Sequence, residues 1–255
     1  MVFDRYYLQT VFVIARNALE RQYRTSFLGI GWMLVSPVVQ VTIFAIILPV
    51  IRSTPHEIDY VLFLISTFPL WSFIVGSLLR STTTLIVEAE TIKRCVVSTT
   101  VFPLSAVVQQ FYSFLISFTV MVVLWAIVSG RWHASVLLVP IYLVPVLVAV
   151  GALAVALAFL TPYVHDIPEV VQTAASVLFW LTPVVYPITS VPARFRGWYS
   201  LNPVYALMRP VSELTYAGTL PNLADTAGCL VVAAISVAFA CVVHRRCGRN
   251  FVYYL

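Results

Sequence analysis

Long apolar runs, separated by short charged or proline-rich stretches, dominate this chain, and reading from charge to charge isolates six of them. The first lies between Arg24 and Arg52, the second between Asp59 and Arg80, and the third between Arg94 and Arg131. The third is expected to start after Pro103, because a proline belongs in a helix's first turn. The fourth precedes His165, the fifth runs from about Val170 to Tyr186, and the sixth from about Leu223 to Val243. A bilayer-crossing helix needs about 20 apolar residues, so the pattern predicts six transmembrane helices.

Three other stretches follow different rules. At about 100° per residue, Leu8, Phe12, Ala15 and Leu19 fall on one stripe, opposite Arg5, Gln9, Arg16, Asn17, Glu20, Arg21 and Arg24. This predicts an amphipathic helix, lying either in the membrane interface with its arginines toward anionic headgroups or against the protein's own cytoplasmic surface. The loop from about Glu88 to Phe102 carries Glu88, Glu90, Lys93 and Arg94 in one helical window. It is either a solvated turn or a short helix that docks into a partner's groove. From Tyr186 to Pro221, five prolines and two glycines forbid one continuous spanning helix. That leaves short half-helices at the outer leaflet or an external loop with interfacial aromatics.

Composition agrees with a lipid solvent. The 255 residues are 61% hydrophobic and 10% charged, where soluble domains carry about 25% charge. The net charge of +5 comes from fourteen Arg and one Lys spread between the apolar runs, which suits headgroups better than nucleic acid. With six spans, one side holds Arg5, Arg16, Arg21, Arg24, Arg80, Lys93, Arg94, Arg245, Arg246 and Arg249. The other holds Arg52, Arg131, Arg194, Arg196 and Arg209, so both termini are expected in the cytoplasm. No signal peptide is expected, since the first apolar run is long and preceded by several charges.

Candidate chemistry is sparse. Cys95, Cys229, Cys241 and Cys247 have no disulfide-framework spacing. Cys241, His244 and Cys247 are read as packing residues rather than a metal site. His165, Asp166 and Glu169 form the densest polar cluster, read as a hinge or a helix cap at Asp166 rather than a catalytic dyad. No hydrolase elbow, zincin motif or paired carboxylates occur, so no catalytic or metal residue is assigned. The predicted spans carry no ionisable groups away from their ends, which argues against ion-coupled transport. No P-loop surrounds the only lysine, Lys93. If ATP supplies the energy, a second polypeptide binds it.

Ordered motifs then carry a resemblance. Tyr23-Arg24-Thr25-Ser26-Phe27-Leu28-Gly29-Ile30-Gly31-Trp32 with Ser36-Pro37 resembles the entry to the first span of type-2 ABC exporter permeases for polysaccharides. Lys93 with Phe102-Pro103-Leu104 resembles that family's coupling-helix region, Leu104 standing where the family has Arg. His165-Asp166-Ile167-Pro168, Phe179-Trp180-Leu181-Thr182-Pro183-Val184-Val185-Tyr186-Pro187 and Asn202-Pro203 resemble the signature around the fifth span, His165 replacing an Arg.

The resemblance implies an all-α integral membrane protein in one transmembrane domain, 1–255. Its parts are an interface helix (1–24), spans one to five (25–186), an external re-entrant segment (187–221), and span six with a cytoplasmic tail (222–255). It implies a homodimer with two copies of a separate ATPase that binds ATP and Mg, in the bacterial cytoplasmic (inner) membrane. The cargo implied is a lipid-linked glycan such as an O-antigen, capsule or teichoic acid polymer, commonly on undecaprenyl pyrophosphate. Within that picture Glu88, Glu90, Lys93 and Arg94 couple to the ATPase, and Arg16, Arg21 and Arg24 attract the pyrophosphate. Trp32, Phe179, Trp180 and Tyr186 are the candidate channel-lining aromatics, although such residues are more often plain helix packing or interface anchors. Competing readings are a type-2 permease for drugs or simple lipids, and a membrane glycosyl- or acyltransferase.

Overall fold

The computed structural model describes residues 5–52, 58–94, 97–130 and 133–248. Arg131, Arg249 and Cys95, which enter the counts above, lie outside these residues, as does the side chain of Arg52. Every regular element among the described residues is helical. The chain runs α1 (Arg5–Tyr23), α2 (Trp32–Arg52), α3 (Ile58–Val87), the short α4 (Ala89–Arg94), α5 (Val101–Ser129) and α6 (Val139–Leu160). It continues through α7 (Ile167–Leu181), α8 (Ala193–Ser200), α9 (Pro203–Ser212), a π-turn (Glu213–Ala217) and α10 (Leu223–Cys247).

Five of these helices, α2, α3, α5, α6 and α10, are long and apolar enough to cross a membrane. The expected fifth span is shorter than its apolar run: α7 has 15 residues, about 22 Å at 1.5 Å per residue, against a hydrocarbon core of about 30 Å. It stops because Thr182, preceding Pro183, is extended at φ −112°, ψ 139°; the proline ring disfavours the helical region for the residue before it. The third span also differs, starting at Val101 with Pro103 inside its first turn. Elsewhere Pro37, Pro49, Pro69 and Pro145 sit within spanning helices. Membrane helices absorb such breaks through neighbouring helices and Ser or Thr hydroxyls.

Burial ranks the helices. Of α3's most apolar stretch 72% is buried, against 17% of α2's and 22% of α10's. The main core gathers on α3 and α6 and takes in α9 and the π-turn, with Leu64, Leu70, Val146, Val150, Val211 and Leu214 fully buried. Close approach also needs glycine: the Gln110 amide of α5 lies against Gly76 of α3, where a Cβ would collide with it.

Two ends are distinct. At one, Leu85, Phe102, Phe159, Ala240 and Val243 form a second cluster on which Ile14 and Ile92 pack, and Tyr163 Oη donates to the Cys247 carbonyl at 2.9 Å. At the other, Ser135 Oγ donates to the Leu214 carbonyl at 2.7 Å, beside α8, α9 and the start of α10. Below these are the α4 end and the α9 end.

The amphipathic stripe of α1 meets the protein along one edge, with Ala15 fully buried. Val11 and Ala15 are its buried residues, and it packs on α5 with Tyr7 bonded to Thr100 at 2.8 Å and Gln109 donating to Gln22 at 2.8 Å. Leu8 and Phe12 stay half exposed, so the apolar arc is shared between the protein and the surroundings. The cap expected at Asp166 is absent as a side-chain bond, although α7 does begin at the next residue. The half-helices expected between 187 and 221 are present as α8 and α9.

Candidate functional site

At the α4 end, α1 and α4 flank the turn at Leu28–Gly31, where Gly29 takes φ +52°, a conformation that favours glycine. The space between them is a cavity of about 1080 Å³ walled by Arg21, Arg24, Glu88, Thr91 and Phe102 among others. Arg21 Nη2 lies 3.6 Å from Glu88 Oε1, and Thr91 Oγ1 donates to Glu88 Oε2 at 3.0 Å. A residue expected to couple to an ATPase and one expected to meet a pyrophosphate therefore touch each other. Arg24 walls the same cavity without an ion pair among the described residues. Arg16 does not join them; it pairs with Glu20 at 2.9 Å on the exposed face. Glu90 and Arg94 pair at 3.0 Å along α4, where Lys93 is also exposed.

Behind α2 lies an uncharged cleft. A pocket of about 390 Å³ between α1, α2, α3 and α5 contains Trp32, Ser36, Gln40, Ser72, Gln110 and Ser113 in its wall. Gln40 and Ser72 also wall a second groove of about 550 Å³ that reaches α7 at Gln172, Phe179 and Trp180. Phe179 is central to an aromatic cluster, its ring centroid 5.9 Å from Phe44, 5.6 Å from Trp71 and 5.3 Å from Trp180. Trp180 is 61% exposed. Tyr186 walls neither space; its hydroxyl donates to the Trp180 carbonyl at 2.6 Å and lies 3.1 Å from the Tyr199 hydroxyl. Three of the four candidate aromatics thus border the cleft, and the fourth ties the end of α7 to α8.

The α9 end is held by specific bonds to broken backbone. Thr67 Oγ1 donates to the Val184 carbonyl at 2.6 Å and Tyr60 Oη to the Val185 carbonyl at 2.7 Å. Asn202 caps α9 by accepting from the Val204 and Tyr205 amides, while its Nδ2 donates to Thr182 Oγ1 at 2.8 Å. The Thr182-Pro183 and Asn202-Pro203 motifs are therefore two halves of one joint. Arg209 bridges Glu213 at 2.9 Å and Asp225 at 2.7 Å, tying α9 to α10. Burial pushes the Glu213 carboxyl above the usual glutamate range, opposed by its bond to Arg209.

Sequence reasoning passed over Gln40, Ser72, Gln110 and Ser113 because it searched the spans for charge. Their signal was spacing: Ser36 with Gln40, Ser72 with Gly76, and Ser113 with Ser117 are each four apart, hence on one helix face.

Apolar helices around an uncharged polar and aromatic cleft describe a multi-pass membrane protein built for passage rather than chemistry. The chain belongs to the ABC-2 type transporter family, which it matches over residues 9–216. It is a transport permease and not an enzyme, and the family implies ATP-driven transport through a partner ATPase. The O-antigen export system permease protein RfbA of Klebsiella pneumoniae is 24% identical over 216 residues, 84% of this chain and 83% of that protein. A protein of the same name in Myxococcus xanthus is 25% identical over 228 residues, 88% and 85% of the two chains.

Proposed function

We propose that this chain is the membrane subunit of an exporter for a lipid-linked polysaccharide, working as a homodimer with two copies of a separate ATPase. The observation that carries the reading is the face of α2 and α7. Gln40 and Gln172 are exposed on these helices, and neither amide makes a hydrogen bond among the described residues. An amide left unpaired in hydrocarbon costs several kcal/mol, so this face turns toward water, sugar or a second copy of the chain rather than toward lipid. Phe44, Phe179 and Trp180 beside the amides offer rings on which sugars stack without tight recognition. The export names of the relatives support the same cargo class.

The pyrophosphate of the lipid carrier enters the cavity at Arg21 and Arg24. ATP closure of the partner pushes α4, and the contact from Glu88 to Arg21 passes that motion to α1. The seventh helix completes six crossings with the joint at Thr182, and α8 and α9 form the outer gate. Both termini then lie in the cytoplasm of a bacterial inner membrane, on the arginine-rich side.

Co-purification tests the reading. The full chain is expected to carry its ATPase through purification, and mass spectrometry of the complex to find a polyprenyl-pyrophosphate glycan. A complex that holds only phospholipid, in cells making such a glycan, contradicts it.

A further inference from the structure

The pocket among α1, α2, α3 and α5 shares Gln40 and Ser72 with the groove that reaches α7, and extends from them to Gln22 and Tyr23 of α1. Among the described residues, the side chains of Ser36, Gln40, Ser72, Gln110 and Ser113 make no hydrogen bond although all five wall it. Hydroxyls and primary amides both donate and accept. Ser36 and Gln40 are exposed and Ser72, Gln110 and Ser113 half-buried, so in a membrane this unpaired set favours a polar occupant of the space over lipid. Its volume of about 390 Å³ lies in the range of roughly 300–1,000 Å³ of small-molecule sites, and it has room for on the order of a dozen waters.

The wall also defines what fits. Among the described residues no charged side chain takes part, while Tyr23, Trp32, Phe73 and Phe114 contribute ring surfaces. Uncharged groups that donate and accept, set beside aromatic faces, match a neutral pyranose better than an ion or an alkyl chain. Position adds an order: Tyr23 walls both this pocket and the cavity of Arg21 and Arg24. A pyrophosphate at the arginines leaves the first sugar of its glycan next to Tyr23.

We propose that this pocket is a recognition subsite for the neutral sugar adjoining the pyrophosphate, at the α1 end of the path of the polymer. The proposal rests on the exporter reading above and adds a discriminating step to it. A carrier is checked for its first sugar at α1, α2, α3 and α5 before the chain enters the passage between α2 and α7. Gln110 is the main polar contact, held in place by its seat on Gly76.

The experiment measures binding to the full-length permease in nanodiscs of three probes: bare polyprenyl pyrophosphate, the same carrier with one N-acetylhexosamine, and the same carrier with one uronic acid. The neutral sugar is expected to tighten binding about tenfold, the effect of one or two net hydrogen bonds, and the uronic acid to add nothing. Gln110→Leu, similar in size, should abolish the gain while leaving binding of the bare carrier unchanged. Gly76→Ala, which displaces Gln110 without removing a polar group, should reduce the gain as well. No gain in the unmodified protein, an equal gain with the uronic acid, or a full gain in both variants overturns the subsite. Failure of the bare carrier to bind overturns the exporter reading instead.

Discussion

Both ends of this permease carry an arginine facing carboxylates, and they are built in opposite ways. At the α9 end Arg209, with a side chain 35% exposed, reaches Asp225, 9% exposed, at 2.7 Å and Glu213 at 2.9 Å. At the α4 end Arg21 is 66% exposed and stands 3.6 Å from Glu88, over an open cavity. The first arrangement pins α9 and the π-turn to α10 and, with Asn202 on Thr182, fixes the break after α7. The second is a contact that opens at little cost. A transporter driven by a partner needs both: one stiff end, and one with a contact weak enough for a partner's motion to move.

Breaking each contact tests the contrast, and the largest effect belongs to the buried one. Asp225→Ala leaves Arg209 short of a partner in a mostly buried site and should lower stability by roughly 2 to 3 kcal/mol, somewhat below a fully buried pair because Arg209 is partly exposed. Thermal unfolding in detergent reads this, and an unchanged midpoint would mean the bridge holds nothing. Asn202→Ala removes a helix cap and the tie to Thr182, and should lose about 1.5 kcal/mol in the same assay. Glu88→Lys with Glu90→Lys should cost less, about 1 kcal/mol, because Arg21 is 66% exposed although Glu88 is 25% exposed. It should nevertheless uncouple ATP hydrolysis from export while insertion stays normal; undiminished export removes the coupling role from α4. Neutralising Arg21 and Arg24 together should weaken carrier binding, whereas Arg16→Gln alone should leave it unchanged. Equal losses from both would return Arg16 to the site.

Much of this architecture was legible from local pattern. The apolar runs locate the five long helices, and the amphipathic period locates α1. The end of α7 was also legible: Thr182 precedes a proline, yet the apolar run through Val184 and Val185 outweighed that signal. The side chosen by α1 was not, since Leu8 and Val11 are both apolar and only packing on α5 selects Val11. Arg21 with Glu88, Arg209 with Asp225 and Asn202 with Thr182 join residues far apart in sequence, and no periodicity encodes such pairs. The uncharged cleft was hidden differently. Serines and glutamines scattered singly in apolar spans look like noise until a four-residue spacing puts them on one helix face, and only the packing brings those faces together.

Energy passed from a separate ATPase to a lipid-linked glycan through α4 is the central claim. Its most direct measurement reconstitutes this chain with the partner ATPase in proteoliposomes and follows a labelled polyprenyl-pyrophosphate glycan across the bilayer. The account predicts movement that requires ATP and both proteins and stops with Glu88→Lys and Glu90→Lys combined, while ATP hydrolysis continues. Movement by this chain alone, or movement undiminished in that double variant, would contradict it.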